Sequence, residues 1–140
     1  MPDDRLWPVS IKGVVFVEKK VVLLLNDRAE WELPGGRLEK GETPEACLIR
    51  ELNEELDCAV AVDKLLLAEV LEVVPGKRVL ILAYRCLLPS PIAEFKLSEE
   101  HKEVRLFSAS ELSQIPIPEV YVSAVTRAKD ANLLTETVSR

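Results

Sequence analysis

With 140 residues, 48% of them apolar and only 5% aromatic, the chain has room for one sizeable aliphatic core and reads as a single domain over residues 1–140. Its formal net charge of −6 sets it against duplex nucleic acid, which basic surfaces hold, and admits a small phosphorylated ligand only where cations screen the repulsion. No apolar run of about 18 residues and no basic-then-apolar N-terminus is present, the three cysteines Cys47, Cys58 and Cys86 follow no zinc or disulfide spacing, and the lone His101 cannot build a histidine metal site, so a soluble cytoplasmic protein is expected.

Met1 to Trp7 is a polar lead-in, after which Val9 to Val17 reads as a strand interrupted by Gly13. Glu18-Lys19-Lys20 is a turn and Val21 to Leu25 an apolar run of strand length, so the two runs predict a hairpin. Asn26 to Glu30 is a charged loop, and Trp31 to Gly36 leads into Pro34-Gly35-Gly36, a sharp non-helical bend where backbone can approach a ligand closely.

Thr43 to Leu56 carries agreeing helix signals. Thr43 is a good N-cap, Pro44 fits the first helical position, where a missing N–H costs nothing, and Glu45 lies in the first turn, where the dipole favours negative charge. Asp57 falls where a left-handed residue ends a helix. At about 100° per residue, Leu48, Ile49, Leu52 and Leu56 cover one arc while Glu51, Glu54 and Glu55 share another. Carboxylates at i, i+3 and i+4 repel, and on that arc only Arg50 offsets them, spaced to pair with Glu54. A hard divalent cation, Mg²⁺ or Mn²⁺, would supply the missing charge; a solvated acidic helix face is the competing reading of the same spacing.

Ala59 to Val74 is aliphatic, with Asp63-Lys64 as a break and a strand from about Leu65; Pro75-Gly76-Lys77 is a turn. Val79 to Leu88 is the most apolar strand and is expected centrally in a covered sheet. Arg85 interrupts it and either snorkels at a strand end or faces a ligand pocket as a substrate-binding residue. Pro89 to Leu97 is a loop, Val104 to Phe107 a short strand, and Ser108 the N-cap of a helical turn ending near Gln114, with Glu111 as capping-box partner. Glu119 to Ala131 is a last helix with Val122, Val125 and Ala128 or Lys129 along one side.

Gly36, Glu42 and the run Arg50-Glu51-Leu52-Asn53-Glu54-Glu55, at these spacings, resemble the Nudix box, the signature of the Nudix hydrolase family. The resemblance covers Gly36 to Cys58 directly and departs from the family pattern at its end, where Asp57 and Cys58 replace a glycine and an aliphatic residue. It implies an α/β fold, the αβα sandwich with a mixed β-sheet. It also implies Mg²⁺-dependent pyrophosphohydrolysis, with Mn²⁺ as substitute, of a small substrate in which a nucleoside diphosphate is linked to another group.

On this resemblance Glu51, Glu54 and Glu55 are metal ligands, with Glu42 and a carbonyl of Gly35 or Gly36 completing the set. Arg50 orients a glutamate, and a box glutamate or a downstream one, Glu103 first and Glu100 second, takes the proton from water. Arg37 and Lys40 fall near the expected phosphates. No membrane is a partner, a homodimer is left open, and the alternative to an enzyme is a catalytically silent Nudix-like nucleotide-binding module. No motif selects among nucleoside triphosphates, ADP-ribose, dinucleoside polyphosphates, NADH or coenzyme A; Pro75, which some ADP-ribose-cleaving members share, is explained equally by its turn.

Overall fold

The computed structural model describes residues 6–89 and 103–138, with side chains described to residue 130. Seven strands and two helices form its regular structure, together with one 3₁₀ turn. The strands are β1 (Val9–Val17), β2 (Lys20–Leu25), β3 (Trp31–Glu32), β4 (Gly35–Arg37), β5 (Ala61–Val74), β6 (Lys77–Leu87) and β7 (Glu103–Phe107). The helices are α1 (Pro44–Leu56) and α2 (Glu119–Val138). The sheet runs β3-β2-β1-β6-β5, with β4 added to β1 and β7 to β2; β1 and β6 are parallel and the remaining pairs antiparallel, so the sheet is mixed.

The predicted hairpin forms with Val17 opposite Lys20. Glu18 and Lys19 turn at φ 50° and 70°, the handedness that matches the twist of the flanking strands although neither is glycine. Side chains alternate across β1 and feed two cores. Ile11 and Val15 pack with Leu48, Leu52 and Leu56 of α1, while Val14 packs with Val79, Ile81 and Ala83 of β6 and with Tyr121, Ala124 and Val125 of α2. The sheet therefore lies between two helical layers, the αβα sandwich. No helix among the described residues is long and apolar enough to cross a membrane.

Helix α1 begins and ends as its local sequence dictates: Thr43 Oγ1 accepts from the Ala46 amide at 3.2 Å, and Asp57 is left-handed at φ 54°, ψ 44°. The Ser108–Glu111 capping box is present, the Ser108 amide donating to Glu111 at 2.8 Å, although the turn it starts, Ala109–Gln114, is 3₁₀.

Other boundaries differ from the sequence reading. Trp31 to Gly36, read as a lead-in to a bend with no strand assigned, contains β3 and most of β4, strands too short for periodicity to mark and fixed by pairing with β2 and β1. Strand β5 starts at Ala61 rather than near Leu65; the Asp63-Lys64 break is a register shift between Val62 and Leu65, not a strand end. Strand β6 runs from Lys77 to Leu87, and α2 continues to Val138, burying Val125 and Ala128 of the expected stripe together with Val120, Tyr121 and Ala124, while Val122 is partly buried against the same core. Residues 1–5 of the lead-in, the loop from residue 90 to Leu97, Glu100 and His101 lie outside the described residues.

Candidate active site

Pro34-Gly35-Gly36 brings the chain against β1, because the Gly13 amide donates to Pro34 O at 2.9 Å and Gly35 and Gly36 pair with Lys12 and Ile11. Gly35 sits at φ 142°, and a Cβ there would lie 2.0 Å from Ile11 O, so only glycine allows this approach. A Cβ on Gly36 would lie 2.3–2.5 Å from the Glu51 carboxylate. The two glycines thus make the space into which α1 points its acidic face.

Arg50 organises that face. Its Nε and Nη2 donate to the two oxygens of Glu42 at 2.6 and 2.9 Å, a fork-to-carboxylate pair, while Nη1 donates to Glu51 at 2.9 Å and Glu54 at 3.2 Å. Glu39 lies 3.8 Å from Nη2, and Arg37 O accepts from the same nitrogen at 3.4 Å. The hydrogen bond from Arg50, then the Glu39 amide at 3.0 Å, holds the Glu42 carboxyl down at about 2. Reciprocally, the Glu42 bond outweighs burial and raises Arg50 above its ordinary range. Beside this network burial pushes the Cys47 thiol up to about 11, with Glu42 adding to it, and the thiol donates to Arg37 O at 3.4 Å.

Glu55 behaves differently from its neighbours. Only 3% exposed, it accepts from the Gly35 amide at 2.7 Å, twenty residues away, and so locks the glycine bend onto α1. Gly36, Arg37, Arg50, Glu51, Glu54 and Glu55 all line one cleft of about 1140 Å³. Leu71, Val79 and Ile81 of β5 and β6, Ile117 and Pro118 just before α2 and Tyr121 within it add apolar lining to the cleft, beside Glu72 and Glu119.

Four of the residues singled out from sequence, Lys40, Glu42, Arg85 and Glu103, do not line the cleft. Glu42 is not in the cleft lining and reaches it through Arg50. Arg85 pairs with Asp63 across β5 and β6 at 3.0 Å and does not line the cleft. Glu103, at the start of β7, is engaged by Arg105 of its own strand, Nε at 2.9 Å, and does not line the cleft. The Gly36 carbonyl faces the Cys47 thiol at 3.9 Å.

The structure also adds residues. Lys12, Glu32 and Tyr121 line the cleft, and Asn26 Nδ2 donates to Glu32 at 3.3 Å while its Oδ1 caps the amides of Arg28 and Glu30 at 2.9 and 3.1 Å. Lys12 was detectable in principle: a lysine in the middle of Ile11-Lys12-Gly13-Val14-Val15 is costly to bury and asks for a reason.

The donor set suits a hard divalent cation, since Glu51, Glu54, Glu55 and the Gly36 carbonyl are all oxygen donors beside the Arg50 guanidinium. In the arrangement described, no three His, Cys, Asp or Glu side chains among the described residues gather tightly enough to hold an ion. Arg50 Nη1 occupies the position between Glu51 and Glu54, so a cation there competes with the guanidinium for both carboxylates.

A family model described as the NUDIX domain matches residues 7–127. A MutT-like protein from Streptomyces ambofaciens is 47% identical over 62 residues, 43% of this chain and 40% of that protein. An 8-oxo-dGTP diphosphatase from Proteus vulgaris is 65% identical over 26 residues, 19% of this chain and 23% of that one. The matched stretches thus span less than half of each curated relative. The crystal structure of a NUDIX-family hydrolase from Clostridium perfringens superposes with a TM-score of 0.77 at 20% identity, covering 88% of this chain and 96% of that chain, a likeness of fold.

Proposed function

The chain belongs to the Nudix family of hydrolases, and from that premise we propose that it is a single-domain, divalent-cation-dependent pyrophosphohydrolase that cleaves the diphosphate bond of a small nucleoside diphosphate joined to another group. The observation that carries the proposal is the cleft itself. It gathers Glu51, Glu54 and Glu55 beside Arg50 and also offers the apolar side chains of Leu71, Val79, Ile81 and Ile117 to an organic group.

Mg²⁺ or Mn²⁺ bound at Glu51, Glu54, Glu55 and the Gly36 carbonyl would neutralise phosphate oxygens and acidify water. The protein's own work is to hold and release those carboxylates. Arg50, clamped by Glu42, keeps Glu51 and Glu54 from springing apart in the free protein and sets where they lie when a ligand arrives. Glu55 is held through the Gly35 amide and is buried. A cleft carboxylate, Glu51 or Glu54, takes the proton from the attacking water. Arg37, exposed at the cleft rim, is placed to meet the phosphates from solvent.

The test is product analysis on a panel of nucleoside triphosphates, dinucleotides and nucleoside diphosphate sugars, with Mg²⁺ and with excess chelator. Hydrolysis that stops on chelation and returns with Mg²⁺ or Mn²⁺ supports the reading. Undiminished turnover in chelator refutes it, and tight binding without turnover turns the assignment to a silent binding module.

A further inference from the structure

Lys12 is a buried lysine, 7% exposed, whose side chain lies in the cleft and whose role the reaction above does not require. It stands on the face of β1 that also carries Val14, flanked across the sheet by Gly35 on β4 and Ala83 on β6. A glycine and an alanine on either side leave room above it. The Nζ lies 5.7 Å from the centre of the Tyr121 ring, and the carboxylates of Glu32, Glu55 and Glu51 also act on it. Burial pushes its pKa down, but Tyr121 and those glutamates outweigh burial and leave it raised, so the group entering the cleft is an ammonium.

The hydrogen bonding of these carboxylates does not by itself call for a lysine here. Each carboxylate whose field reaches it has another donor: Gly35 N–H for Glu55, Arg50 for Glu51 and Asn26 for Glu32. An aliphatic side chain at this point of an apolar strand would fill the space without removing an ammonium from water. What the lysine adds is a positive charge within reach of both the cleft carboxylates and Tyr121, where a diphosphate lying on the carboxylates passes to an organic group on the apolar side chains. We propose that Lys12 is a substrate-binding residue whose ammonium takes an anionic phosphate oxygen there. The inference rests on the diphosphate-hydrolase reading and names the side chain that meets the substrate's phosphate without going through a cation.

The test uses methylenediphosphonate, which has the diphosphate charge, no organic group and no hydrolysable bridge. Its affinity is measured by calorimetry for the intact protein, Lys12→Met and Lys12→Arg, with Mg²⁺ and with chelator, and denaturant unfolding is followed for each. Lys12→Met is expected to weaken binding by about 10- to 100-fold, the worth of a hydrogen bond to a charged group, and Lys12→Arg to restore most of it. Equal affinity in folded wild type and Lys12→Met overturns the proposal, as does a wild type that binds no diphosphonate; a lysine kept only for charge balance would change stability and leave affinity alone. Should Lys12→Met fail to fold, the ¹⁵Nζ resonance of Lys12, assigned by its absence in Lys12→Arg, must move on adding the diphosphonate to wild type, and a stationary resonance refutes the assignment. Lys12-dependent binding with no turnover on the substrate panel would overturn the hydrolase reading instead and leave this one standing.

Discussion

Replacing Gly36 by alanine separates the site from the fold. The backbone at Gly36 has no positive φ and lies in β4, so alanine is conformationally acceptable there, and the stiffer unfolded chain favours the variant by about 0.4–1 kcal/mol. The added methyl, however, would stand 2.3 Å from Glu51 Cδ and 2.4 and 2.5 Å from its two oxygens. Ordinary contact needs about 3.5 Å, so the carboxylate must retreat by roughly 1 Å, which the flexible end of a glutamate can do. The retreat disturbs the 2.9 Å bond from Arg50, and a 1 Å misplacement in a catalytic group costs about 100-fold in rate.

Gly36→Ala is therefore expected to unfold within about 1–2 kcal/mol of wild type while losing about two orders of magnitude in kcat/KM. Gly35→Ala is the control. Its methyl would meet backbone, Ile11 O at 2.0 Å, at φ 142°, and backbone cannot step aside, so the loss there is expected to exceed about 3 kcal/mol. Denaturant unfolding and steady-state kinetics on the same preparations decide the matter. A Gly36→Ala enzyme with near wild-type turnover would mean that Glu51 does not need its place over Gly36, and one as unstable as Gly35→Ala would show the strain to be carried by the sheet.

Glu54→Gln keeps side-chain volume and gives up only an exposed pair with Arg50, so unfolding should shift by less than about 0.5 kcal/mol while most turnover disappears; retained turnover in kinetic assays would remove Glu54 from the site. Asp57→Gly relieves a left-handed Cβ and a negative charge at the helix C-terminus, and denaturant unfolding should show a gain of about 0.5 kcal/mol after the entropy of glycine is subtracted; a net loss would show that the contacts of the Asp57 carboxylate outweigh the backbone. Burial holds the Cys47 thiol at about 11 and the Cys86 thiol at about 12 and raises that of Cys58, so native protein at pH 8 should leave a disulfide reagent unconsumed until it is unfolded. These raised thiols contribute stability that is fully present below the unfolded-chain value of about 9 and is lost as pH rises toward 11–12, a decline that unfolding across alkaline pH should reveal.

Helix α1 was legible in its bounds and caps because those signals are local: Thr43, Pro44 and Asp57 act within a turn of where they stand, and the Arg50–Glu54 contact is an i,i+4 pair, whereas Ile49, expected on the core arc, is 45% exposed and Glu55, expected on the acidic arc, is buried. The hairpin of β1 and β2 and the short β7 were legible for the same reason, as runs of the right length between turns. The box residues were identifiable from sequence as a constellation, through spacing that resembles a family whose model spans most of the chain.

What sequence spacing could not express is who meets whom across the fold. The Glu42–Arg50 fork depends on the loop before α1 folding back, and Glu55 finds Gly35 twenty residues away. Arg85 and Glu103 have residue types that suit a site, but cross-strand and same-strand partners, Asp63 and Arg105, take them up outside the cleft. Lys12 reads as an interruption in an apolar strand until Gly35, Ala83 and Tyr121 are placed around it. Caps and periodicities belong to neighbours within one turn of a single element, whereas a cleft is made by elements that sheet register brings together, and register is decided by the pairing of whole strands.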